Sequence, residues 1–236
     1  MRRWLAALAN SKRASVRRHA EGDSLAELHL TQDIREQLRP SHTALLIVDM
    51  QNDFCTPGFG AEAAGRDISV ANDVTPTIAR LLAAARKSGV AVAHVGFWTL
   101  PHNSSDSDAW LVQRRKATYS GDKLCLAGTP GAEFIAPLAP IEDEWVIHKH
   151  RYSAFTATSL DLLLRARNIG SVVVTGVSTN ACVESTFRAA FELGYHVAVP
   201  VDGCGSWDRG LHDASLANVR HRFGSTPTAD DIVAIW

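Results

Sequence analysis

From Thr43 onward the chain alternates short apolar runs with longer amphipathic ones, and this alternation limits the fold more than any other feature. Strand-length runs lie at residues 44–48, 90–95, 145–148, 171–175 and 196–201, most of them rich in β-branched or aromatic side chains. Between them, residues 74–88, 159–168 and 182–193 repeat apolar side chains at helical spacing. These three runs stop at Gly89, Gly170 and Gly194, and glycine suits a helix C-terminus because it adopts left-handed backbone without a Cβ clash. A last helix over 211–222 leads to a short strand near Phe223, and Thr228 stands where it can cap a terminal turn through Ile235. Repeated strand–helix units of this kind predict an α/β fold, doubly wound around a mainly parallel sheet.

A length of 236 residues accommodates one domain with a substantial core, and no linker divides the chain. The expected division is an N-terminal extension, 1–41, followed by one domain over 42–236. Hydrophobic residues make up 46%, charged residues 21%, and the formal net charge is -1, so the chain is no polyelectrolyte and nucleic acid is not an expected partner. No apolar run approaches the roughly 18 residues that span a bilayer, so no membrane segment is expected. The four cysteines, 55, 125, 182 and 204, lack C-x-x-C spacing and suggest neither a zinc site nor a disulfide scaffold. A reducing, cytoplasmic setting follows. The first 20 residues carry Arg2, Arg3, Lys12, Arg13, Arg17 and Arg18 with no acid, which fits a basic, partner-contacting helix better than an organellar transit peptide, though import is a second reading.

In open parallel sheets, ligands sit beyond the carboxyl ends of the strands. Three of these ends bear reactive side chains. The first runs into Asp49, the third into Lys149, and the fourth into Gly176-Val177-Ser178-Thr179-Asn180-Ala181-Cys182, placing Cys182 at the start of the next helix. Each has an ordinary alternative: a cap, a solvated end, a small hydrophobe. Together they supply a base, a cation and a nucleophile, the set that covalent amide hydrolysis requires. A helix N-terminus and a nearby ammonium both favour thiolate, so Cys182 is expected to alkylate below the ordinary thiol pKa of about 8.5. The 176–182 loop also offers backbone N–H donors beside the sulfur.

These residues resemble the isochorismatase-like cysteine hydrolases in three separated motifs across roughly 42–235. Asp49-Met50-Gln51-Asn52-Asp53-Phe54 ends the first strand, Lys149-His150-Arg151-Tyr152-Ser153-Ala154-Phe155 the third, and the Cys182 loop continues Val183-Glu184-Ser185-Thr186. The resemblance implies Asp49, Lys149 and Cys182 as catalytic residues, a cis peptide between Val177 and Ser178, and an oxyanion hole from the N–H groups of Ser178 and Cys182. It also implies a six-stranded sheet of order 3-2-1-4-5-6 with helices on both faces, and a homo-oligomer, dimer or tetramer. The metal-dependent nicotinamidase branch carries Asp-x-His after its second strand, where this chain reads Val95-Gly96-Phe97-Trp98-Thr99-Leu100-Pro101-His102, so no metal and no cofactor are expected.

Within that family the second and third motifs look closest to the ureido and carbamoyl amidohydrolases, which implies metal-independent cleavage of a small linear amide through a thioester-type intermediate. Vinyl-ether hydrolysis, or a non-catalytic binding module on the same fold, are the other readings. Arg151 is a candidate to hold a substrate carboxylate or carbonyl, with a surface salt bridge as its alternative. Phe54 and Tyr152 are candidates to line the pocket, or simply core. Residues 97–144, which include His102 and the Gly-Thr-Pro-Gly run, form a long excursion where substrate or interface residues are expected. Cys204 reads as packing rather than a second reactive thiol, Cys55 as either a substrate contact near the pocket or a simply buried residue, and His94 as a satisfied core residue.

Overall fold

The computed structural model describes residues 31–116 and 123–236. The basic segment 1–20 therefore lies outside the described residues. Residues 32–236 form one compact unit, in which Leu38 is buried and its carbonyl accepts from the Trp236 indole at 3.0 Å, tying the last residue to the approach to the first strand.

Five parallel strands stand in the order β3-β2-β1-β4-β5: β1 Thr43–Val48, β2 Ala91–Phe97, β3 Trp145–Lys149, β4 Ser171–Val177 and β5 His196–Ala198. A two-residue strand, β6 Cys204–Gly205, pairs with the end of β4, where β5 has already stopped. Outside β5 the chain returns at residues 225–227: Ser225 N donates to Val197 O, Val199 N to Ser225 O and Val201 N to Pro227 O. The sixth position of the sheet is thus held by one isolated bridge, Ala198 to Ser225, in place of the short strand expected near Phe223.

Strand β1 explains itself. Every residue from Thr43 to Val48 is fully buried, because neighbours on both sides and layers on both faces leave no solvated edge. Its side chains alternate between the two cores: Leu45 and Ile47 join the cluster of Ala71, Ile78, Leu82 and Ile232, whereas Ala44, Leu46 and Val48 join that of Leu164, Phe187 and Leu216. The helix Ser69–Ser88 covers the first face, and the helices Leu160–Ala166, Glu184–Glu192 and Arg209–Asn218 cover the second. Strand β3 is an edge, and its Val146 and His148 face outward.

Helix boundaries differ from the sequence reading for local reasons. The first long helix begins at Ser69 rather than 74 and contains Pro76; the Thr75 hydroxyl, in the turn that the proline weakens, bonds back to Ala71 O at 2.7 Å. Gly89 and Gly194 do take left-handed backbone, but the helix Leu160–Ala166 ends through Asn168, and Gly170 instead makes room for the His42 ring. The run expected as one helix over 182–193 is a π turn, Thr179–Val183, followed by the helix Glu184–Glu192. The run expected over 211–222 is the helix Arg209–Asn218 and a second π turn, Val219–Phe223. Thr228 caps Ala229–Val233 in a capping box with Asp231. The excursion 97–144 holds a helix absent from the sequence reading, Asp108–Lys116. His94 is satisfied on one side alone: Nε2 meets Glu144 at 2.8 Å, while Nδ1 makes no hydrogen bond among the described residues.

Gly176 sits opposite Val48 in the β1–β4 ladder with φ 110°, and a Cβ there would lie 2.0 Å from Val48 O. Gly176→Ala therefore carries both a disallowed backbone and a clash with the central strand. A loss of at least ~3 kcal/mol is expected, read as a fall in the denaturant midpoint relative to wild type; an unchanged midpoint contradicts this account of the β1–β4 contact.

Candidate active site

The register aligns the carboxyl ends of four strands, with Val48 opposite Val95 and Gly176, and Phe97 opposite Lys149. Immediately past Val48, Asp49 leaves the sheet in left-handed backbone, φ 55°, which aspartate tolerates better than most residues. Its N–H still bonds to Val95 O at 2.7 Å. Gln51 then replaces a missing stretch of ladder: fully buried, it donates to Phe97 O and Ala132 O and accepts from Phe97 N. Asp53 gathers the surrounding loops, accepting from Gly60 N at 3.0 Å and Cys125 N at 2.5 Å.

Three side chains converge at this mouth. Lys149 Nζ lies 2.8 Å from Asp49 Oδ2 and 3.2 Å from Cys182 Sγ, with the Phe97 ring centroid at 4.9 Å. Cys182 belongs to the π turn ahead of the helix Glu184–Glu192, reached from β4 through a cis peptide between Val177 and Ser178. All three side chains are buried, and Asp49 Oδ1 has no hydrogen-bond partner among the described residues.

Burial shapes their protonation. It raises the Asp49 pKa against the opposing pull of Lys149. For Lys149, burial alone acts downward, but the Asp49 carboxylate and the Cys182 sulfur raise it on balance. Burial, then the Asp49 charge, pushes the Cys182 thiol well up, and Lys149 offsets only part of this. These influences favour a charged Lys149 and a protonated Cys182 thiol. This reverses the expectation of an acidic thiol: no α-helix begins at the sulfur, and removal from water outweighs the neighbouring cation.

Beside the sulfur lies a cavity of about 50 Å³, room for a few waters, whose lining includes Asp49, Ser178 and Cys182. Phe54 and Tyr152 line it as well. Arg151 does not: its Nη1 donates to Ser105 O and His150 O, and its guanidinium lies 5.0 Å from the Trp110 ring centroid. Trp110, Arg114, Leu124 and Trp207 also line it without having been singled out in the sequence, the first three within the 97–144 excursion where substrate residues are expected. The first two share a face of the helix Asp108–Lys116, four residues apart, a spacing that could have found them had a helix been recognised there. Cys204 is buried with Sγ bonded to Val174 O at 3.4 Å, and Cys55 is buried with its thiol pushed up to about 12 by burial and Asp49; neither lines the cavity. Among the described residues no group of three or more His, Cys, Asp or Glu is placed to hold a metal, and no helix is long and apolar enough to cross a membrane.

The Isochorismatase domain model matches residues 43–231. The chain belongs to the isochorismatase family. It is a hydrolase, similar to the ureidoacrylate amidohydrolase RutB of Variovorax paradoxus (strain S110), with 37% identity over 207 residues, 83% of this chain and 82% of that one. Among solved structures it is similar to a cysteine hydrolase from Pseudomonas syringae pv. phaseolicola 1448A, with a TM-score of 0.76 and 27% identity, covering 84% of this chain and 94% of that one. It is also similar to N-carbamoylsarcosine amidase from Thermoplasma acidophilum, with a TM-score of 0.63 and 26% identity, covering 80% and 96%.

Because the Asp49 charge raises the thiol, Asp49→Asn leaves Lys149 as the dominant neighbour and lowers the Cys182 pKa. Alkylation by iodoacetamide across pH is expected to set in only above the ordinary thiol pKa of about 8.5 in wild type, and at lower pH in the variant. Coincident profiles, or a variant shifted upward, contradict the electrostatic account.

Proposed function

We propose that this hydrolase is a metal-independent cysteine amidohydrolase that opens a C–N bond of a small linear ureido or carbamoyl compound, of the ureidoacrylate, biuret, triuret or N-carbamoyl type. The observation that carries the reading is Lys149 Nζ within hydrogen-bond distance of both Asp49 Oδ2 and Cys182 Sγ at the cavity wall. Curated relatives named for ureidoacrylate amidohydrolysis support the choice of bond.

In this reading the thiol stays protonated until a substrate carbonyl arrives. Asp49, with Oδ1 free of hydrogen bonds among the described residues, accepts the proton as Cys182 Sγ attacks carbon. The backbone N–H groups of Ser178 and Cys182 hold the developing oxyanion. Collapse breaks the C–N bond, and Asp49 hands its proton to the departing nitrogen, which leaves as ammonia or amine. Water then attacks the acyl-thiol, again giving a proton to Asp49, and the S–C bond breaks to restore the thiol. Lys149 holds Asp49 in place and keeps the charge of the site balanced throughout.

Cys182→Ala is expected to lower ammonia release from the best ureido substrate at least ~10³-fold; wild-type release by that variant overturns the reading. The pH profile carries a second expectation. The base is Asp49 in its ionised form, and burial raises its pKa above the usual carboxylate value of about 3.9. Lowering the pH therefore protonates it and removes the base, so kcat/KM falls on the acid side with an apparent pKa above that value. An acid limb at the ordinary carboxylate position, or none, argues against Asp49 as base.

A further inference from the structure

The proposed hydrolysis takes no group from the helix Arg209–Asn218, yet that helix sets a buried histidine against the turn that carries the nucleophile. His212 is 7% exposed and Thr179 fully buried, and His212 Nδ1 stands 2.9 Å from Thr179 Oγ1. Thr179 opens the π turn Thr179–Val183, in which Cys182 is the fourth residue, and it directly follows Ser178. It therefore lies between the two residues whose backbone N–H groups hold the oxyanion in the proposed mechanism.

A π turn is an uncommon backbone form, and this one is held by side chains from outside it. His212, Ser215 and Asn218 are spaced three apart along one helix. Ser215 Oγ and Asn218 Nδ2 bond to the Glu184 carboxylate just past the turn, while His212 reaches the turn itself. Ser206 Oγ adds a bond to Asn180 Oδ1 at 2.6 Å. Burial, then the Arg209 charge, keeps His212 below the usual histidine pKa of about 6.5 against the pull of Asp213, so near neutral pH an uncharged ring meets Thr179.

We infer that His212 is a positioning residue for the reaction: through the Thr179 hydroxyl it fixes the peptide units that aim the Ser178 and Cys182 N–H groups at the substrate's carbonyl oxygen. This rests on the amidohydrolase reading, which gives those N–H groups their task, and adds to it a residue that touches neither substrate nor nucleophile. Oxyanion donors act through their aim, so a small displacement of the turn lowers the rate of attack. The cavity wall that binds the ground state is left in place. The loss therefore falls on kcat more than on KM.

The test uses the two ring nitrogens. An asparagine amide stands about where Nδ1 was, and a glutamine amide about where Nε2 was, so only asparagine restores the contact with Thr179. For ammonia release from the best ureido substrate, His212→Ala and His212→Gln are expected to lower kcat ~10- to 100-fold with KM within ~3-fold, and His212→Asn to keep kcat within ~3-fold of wild type. Thr179→Val, which loses the hydroxyl, shows the same loss, and combining it with His212→Ala adds none. Thr179→Val against Thr179→Ser carries the comparison if the histidine variants do not fold. Equal losses in the alanine and asparagine variants, losses confined to KM, or additive losses in the double variant overturn the inference. If wild type releases ammonia from no ureido compound, the substrate reading fails by itself, and the His212 variants are compared by iodoacetamide labelling of the Cys182 peptide. Labelling at least ~3-fold faster in the alanine and glutamine variants than in wild type and the asparagine variant supports the positioning role; any other order overturns it.

Discussion

The ion pair between Asp49 and Lys149 is the constraint around which the rest of the site is arranged. Its two charges are fully withdrawn from water, 2.8 Å apart, on strands that are not neighbours in the sheet. Removing one partner of such a pair strands the other, at a cost of ~3–5 kcal/mol, so the strand ends that carry them must arrive in register. Strand β2 lies between them, and its last residue, Phe97, supplies both the ring beneath Lys149 and the backbone groups that grip Gln51. The close approach of Gly176 to Val48 brings the Cys182 loop to the same point from the other side.

That arrangement explains why the nucleophile need not be acidic. A thiol deep in protein, next to a carboxylate, resists ionisation, yet in the proposed mechanism the same carboxylate accepts its proton when a carbonyl carbon is available. In that mechanism Lys149 keeps the site near neutrality before and after the transfer, and the aromatic side chains lining the cavity, Phe54, Phe97, Trp110, Tyr152 and Trp207, exclude part of the water that competes with substrate for Cys182.

Legibility in the sequence followed the range of the interactions. Strands β1, β2 and β4 are readable because burial on both faces demands continuous apolar runs, and β3, exposed at Val146 and His148, is readable from its short Trp-Val-Ile run; Asp49 and Lys149 stand out as the polar residues at the ends of such runs, and Cys182 as the nucleophile of the loop that follows β4. The helix Asp108–Lys116 was not readable: Ser, Asp, Gln, Arg and Lys surround its few apolar positions, so its pocket-facing pair, Trp110 and Arg114, showed no periodic signal. Arg151 stands in the sequence as a guanidinium that suits a planar carboxylate or carbonyl, but its side chain braces the excursion instead of entering the cavity. The expected lowering of the Cys182 pKa leaves out burial, a property of the fold that a helix start in the sequence does not show.

Rapid acid quench of wild-type enzyme during turnover of a ureido substrate, followed by intact-protein and peptide mass spectrometry, tests the covalent route most directly. The account predicts an acyl adduct that forms and decays with turnover and maps to Cys182 alone. Steady turnover without an adduct on Cys182, or an adduct on another residue, contradicts it.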